Sequence, residues 1–90
     1  MLPKDIRHKI RRDFSIDKVG AVEKLLAQYS SREPERVMRC IIHLSKGSVE
    51  KLKVNIERAK LDYRDIILFA EYDLNDRKIN DFTKPFAINK

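Results

Sequence analysis

Cysteine, glycine and tryptophan are close to missing from this chain. Its 90 residues include one cysteine, two glycines, three prolines and no tryptophan. Cys40 on its own can close no internal disulfide, and a tetrahedral thiolate site needs further ligands. Gly20 and Gly47 stand 27 positions apart, whereas a P-loop or a dinucleotide fingerprint needs closely spaced glycines so that backbone N–H groups can approach phosphates. His8 and His43 are the only histidines, and neither has a second strong ligand at helical metal-site spacing. The longest apolar run, Ile66 to Ala70, is far short of a membrane span. The first residues are charged throughout, without the apolar stretch of a secretory signal. Asp73, Asn75, Arg77 and Lys78 begin like a calcium loop but put cations where an oxygen ligand and the turn glycine belong. These absences predict no metal, no cofactor, no catalytic residue and no membrane span. They point to a reducing, cytoplasmic setting and to a protein that is not an enzyme.

What is present is helical. Apolar residues make up 42% and charged residues 38%, with a net charge of +6 and a pI near 9.6. With few breakers, long continuous elements are expected. Pro3 opens a first helix to Asp13, with Ile6, Ile10 and Phe14 on one face. Ser15 caps a second, Ile16 to about Tyr29, whose stripe is Ile16, Val19, Val22, Leu26 and Tyr29. Gly20 and Ala21 would let a neighbour approach closely. Pro34 opens a third, to Lys46; its apolar residues spread around more than half of the circumference, which predicts a central helix covered on two sides. Gly47 supplies a left-handed C-cap and Ser48 an N-cap.

From Val49 to about Tyr72 there is no glycine or proline, and Val49, Leu52, Ile56, Ala59, Tyr63, Ile66 and Ala70 form an unbroken heptad seam. A continuous helix here would be roughly 36 Å long. Val54, Leu61 and Leu68 make a second stripe on its opposite side, widened by Phe69 and Tyr72. Beyond Asp73 the pattern stops, while Ile79, Phe82, Phe86 and Ile88 remain as apolar anchors. The expected fold is all-α: a small bundle of three shorter helices and one long C-terminal helix (residues 1–73), then an extended tail (74–90) docking on the domain or on a partner subunit.

Arg36-Val37-Met38-Arg39-Cys40-Ile41, Leu44 and Gly47, Asp62-Tyr63-Arg64-Asp65-Ile66-Ile67 and Ala70-Glu71-Tyr72-Asp73 together resemble a group of small uncharacterised bacterial helical proteins. The resemblance spans about Pro34 to Asp73. It implies a bacterial, compact helical protein and carries over no functional site.

Two surfaces are candidates. The second stripe, Val54, Leu61, Leu68, Phe69 and Tyr72, predicts an interface, since three short helices cannot cover both sides of so long a helix. It makes the best reading a protein-interaction module, self-associating as a homodimer or meeting another protein. Residues 1–12 hold five cations against Asp5, a net of +4, and Lys4, Arg7 and Arg11 share one side of a helix with Arg12 beside them. That makes a basic nucleic-acid-binding accessory protein the alternative, with these four as polyanion contacts. A solvated helix face explains the same charges, and no aromatic residue interleaves with them for base stacking. Three further groupings are read as structural. Asp62 and Asp65 are compensated on the surface by Arg58, Lys60 and Arg64, with Arg58 four positions before Asp62 in ordinary i,i+4 pairing. Arg36, Arg39 and His43 make at most a cationic stripe. Cys40 is a small buried hydrophobe.

Overall fold

The computed structural model describes residues 2–30 and 32–86. The sequence readings on Ile88 and the last four residues of the tail lie outside that range. Five helices follow in order: α1 Lys4–Asp13, α2 Ile16–Ala27, α3 Pro34–Ser45, α4 Val49–Leu61 and α5 Tyr63–Glu71. No strand occurs among the described residues; Tyr72 and Lys78 form one isolated antiparallel bridge.

α3 is the central helix that its apolar spread predicts. Val37, Met38, Cys40, Ile41 and Ile42 are all buried, and α1, α4 and α5 each pack against it. α1 and its C-cap residue deliver Ile6, Ile10 and Phe14 to the core, and α2 with the turn after it delivers Val22, Leu26 and Tyr29. Ile16 does not belong to that stripe: it is 92% exposed at the outer end of α2, one turn before Val19, the first partly covered residue. Gly20 has open space where a β-carbon would stand, so no close approach depends on it. At Gly47 both turn and contact demand glycine. Lys46 and Gly47 are left-handed (φ 50 and 78), and a β-carbon on Gly47 would collide with the Asp13 carbonyl oxygen at the end of α1.

The long C-terminal helix is two helices. Asp62 is extended (φ −158, ψ 102) and closes one helix while opening the next. Its N–H donates to the Arg58 carbonyl at 2.9 Å, and its carboxylate accepts the Arg64 N–H at 3.0 Å. An Asp N-cap can thus restart a helix without glycine or proline. The break also serves packing, because α3 has 12 residues and is only about 18 Å long. A straight helix through residue 71 would overshoot it by half its length. Instead α5 doubles back. Phe69 lines one groove with Glu50, Lys51 and Val54, residues that would lie roughly 22–28 Å away along a continuous helix. Leu52, Ile56 and Ala59 of α4 and Ile66 and Ala70 of α5 are buried, so the inner seam survives the break. The Cα radius of gyration is 12.3 Å, as expected for a folded chain of this length, about 12 Å.

The tail folds back on its own chain as far as it is described. Asp73 organises the turn, accepting the Asn75 and Arg77 N–H groups. The Glu71 carbonyl then accepts the Ile79 and Asn80 N–H groups at 2.7 and 3.2 Å. Phe82 is buried against His43, with ring centroids 5.1 Å apart, and Phe86 packs edge-on to Phe82.

Candidate functional site

α4, α5 and the end of α3 enclose an open groove of about 520 Å³. Leu44, Val54 and Phe69 give it an apolar floor, and Lys46, Lys51, Arg58 and Glu50 stand around it. Asn55, at its base, is buried and already donates to the Ser45 hydroxyl at 3.2 Å. Val54 is 51% exposed and Phe69 57% exposed, so the groove presents apolar surface to solvent. It exists because Asp62 turns the chain: only the reversal brings Phe69 beside Val54.

The same reversal splits the predicted interface. Leu61, 89% exposed, lies in a separate depression with Ser30 and Arg64. Leu68, 48% exposed, is not among the groove's described lining residues, and Tyr72 is half-buried beside the bridge to Lys78. Of the five, Val54 and Phe69 share one site. The even repeat that favoured a helix-long dimer seam is gone. Leu44 and the basic rim were not legible as a site, since Leu44 reads as one more apolar residue of α3 and the cations read as solvated positions of α4.

The basic face of α1 is less free than its sequence suggests. Lys4, Arg7, His8 and Arg11 do border one shallow depression with Leu2. Arg7 approaches Glu23 at 3.8 Å, and Arg11 and Arg12 sit in the last turn of α1, where cations offset the helix dipole. Asp5, counted against those cations in the net charge, is buried.

Two buried ion pairs hold the tail. Asp5 accepts Arg39 Nε at 2.8 Å and the Phe86 N–H at 3.0 Å. Glu71, with no exposed surface, accepts Arg36 Nε and Nη2 at 2.9 and 2.7 Å and the Phe82 N–H at 3.1 Å. Arg39 Nη1 also donates to the Phe82 carbonyl at 3.2 Å. Burial pushes both carboxyls upward, but the arginine hydrogen bonds, the tail N–H groups and the arginine charges outweigh it and hold both below the usual range. Arg36 and Arg39 are therefore neutralised inside the fold, which removes the cationic stripe read from the sequence.

Burial first, then the Glu71 charge, pushes the Cys40 thiol up to about 12, so the thiolate nucleophile is suppressed. Burial, with Lys9 and Lys46 nearby, holds the His43 imidazole below its ordinary value. Asp62 pairs with Arg64 (Nε at 3.1 Å), one of the three cations expected to compensate it, and this contact lowers its carboxyl. Among the described residues, no group of His, Cys, Asp and Glu is able to hold a metal, and no helix is long and apolar enough to cross a membrane. Comparison with protein-family models, curated proteins and solved structures finds no match to the chain.

Proposed function

We propose that this chain is a non-catalytic protein-interaction module that receives a partner on the groove between the end of α3, α4 and α5. The observation that carries the reading is the pairing of Val54 and Phe69, each more than half exposed, over half-buried Leu44. A contiguous apolar surface with a charged rim is the usual anatomy of a docking site. Phe69 is the natural anchor, since aromatic residues dominate interface energetics. A cytoplasmic setting goes with this reading, on the single buried cysteine.

A photoreactive amino acid placed at Val54 in the producing cells, with Lys18 on α2 as the control position, tests the reading. The expected result is a protein adduct specific to Val54. Binding of the identified partner, rebuilt from purified components, is expected to vanish in Phe69→Asp while the helical circular dichroism is kept. Absence of any protein adduct specific to Val54 would overturn the proposal.

A further inference from the structure

The charge around the groove identifies the kind of partner. Lys46, Lys51 and Arg58 border its apolar floor, with Glu50 the one acid among the described lining residues. None of the three cations has a carboxylate within ion-pair distance among the described residues. Lys4, Arg11, Arg12, Lys18, Lys24, Lys53 and Lys84 are unpaired as well, but among the described residues only Lys46, Lys51 and Arg58 border the groove floored by Leu44, Val54 and Phe69. An apolar floor edged by unpaired positive charge is complementary to apolar side chains flanked by carboxylates.

A second copy of this chain fits poorly. A twofold interface sets a patch against itself, so the three cations would face three more, on a chain already at +6. The groove runs along α4 from Glu50 to Arg58, about 12 Å, which is a little over two turns of a helix. Resting on the interaction reading above, we infer that the groove receives about two turns of an acidic amphipathic helix of another protein. Its apolar side chains lie on Leu44, Val54 and Phe69, and its flanking carboxylates meet Lys46, Lys51 and Arg58.

The test titrates the full-length, isotope-labelled chain with two synthetic helical peptides. They share one Leu/Phe spacing at i, i+3 and i+4; one carries Glu and the other Lys at the flanking positions. The Glu peptide is expected to shift amides of residues 44–58 and of Phe69, and to bind at least about tenfold more tightly than the Lys peptide at about 50 mM salt. The gap is expected to narrow at about 500 mM salt. Replacing Lys46, Lys51 and Arg58 together by Glu is expected to reverse the preference with the fold intact. Equal binding of the Lys peptide, no groove shift with the Glu peptide, or dimerisation of the chain through the groove would each overturn the inference. Equally tight groove binding by a single-stranded oligothymidylate would do so too, by showing that charge alone is read. A Val54 adduct with a partner whose contact segment is basic or neutral would overturn the acidic partner and leave the interaction reading standing.

Discussion

Replacing Glu71 by Gln isolates the energy that holds the tail. The substitution keeps the volume of a side chain with no exposed surface. It removes the charge and turns one of the two oxygens facing Arg36 into an N–H donor. Glu71 accepts two Arg36 bonds and the Phe82 N–H, and a neutral amide in its place could meet only part of that demand. Breaking a buried ion pair from one side costs about 3–5 kcal/mol. Arg36 remains partly exposed and keeps Glu33 at 3.2 Å, so it recovers some solvation, and the expected loss at pH 7 is about 3 kcal/mol. The sign of the pH dependence follows from the lowered carboxyl. Its contribution is complete above the ordinary value of 4.5 and is lost as pH falls through the lower folded value. Urea melts of parent and variant should therefore differ at pH 7 and converge well below the ordinary carboxyl value, where both side chains are neutral. The titrations of Asp5 and His43 occur in both proteins and largely cancel in the difference. Faster hydrogen exchange at the Phe82 amide should accompany the loss. A difference under about 1 kcal/mol at pH 7, or one that persists undiminished in acid, would refute the assignment of this energy to the buried charge.

Two further perturbations separate core from surface. Ile41→Ala, on the central helix, should cost about 2–4 kcal/mol, whereas Leu61→Ala, almost wholly exposed, should cost under about 0.5 kcal/mol; denaturant melts check both, and equal large losses would place Leu61 in a core. Neutralising Arg7, Arg11 and Arg12 together to Gln should leave the circular dichroism unchanged and cost under about 0.5 kcal/mol per residue. Loss of tight single-strand binding in that variant would favour the nucleic-acid reading over the groove.

The inner seam was legible because a heptad pattern reports which residues face the core, and Leu52, Ile56, Ala59, Ile66 and Ala70 do face it. The seam is silent about continuity. Ala59, Tyr63 and Ile66 keep their spacing whether the helix continues through Asp62 or stops and restarts there, because both halves pack on α3. The one local sign was Asp62 itself, a strong N-cap residue that an uninterrupted apolar period masks. The buried pairs Asp5–Arg39 and Arg36–Glu71 were illegible for another reason. Their partners lie 34 and 35 positions apart, and helical periodicity reports only neighbours three or four apart. A charge at such a position reads as solvated until the fold supplies its counter-ion.

Those buried pairs also decide what is left uncovered. A second subunit or the tail could in principle cover the outer side of α4. Asp5 and Glu71 each spend an acceptor site on a tail N–H, at Phe86 and Phe82, and Arg39 takes the Phe82 carbonyl. With Phe82 packed on His43, residues 79–86 are committed to α1, α3 and the end of α5. Giving up that position would leave two buried carboxylates short of a donor each, a cost of about 1–3 kcal/mol apiece. Residues 79–86 therefore have no competing reason to cross to Val54 and Phe69, and these keep about half of their surface in water. Nor does a straight helix remain there for a second subunit to pair with along its length. The reversal at Asp62 converts a long apolar edge into a short, concave groove rimmed by unpaired cations, a shape that favours a compact acidic helix over a coiled-coil mate.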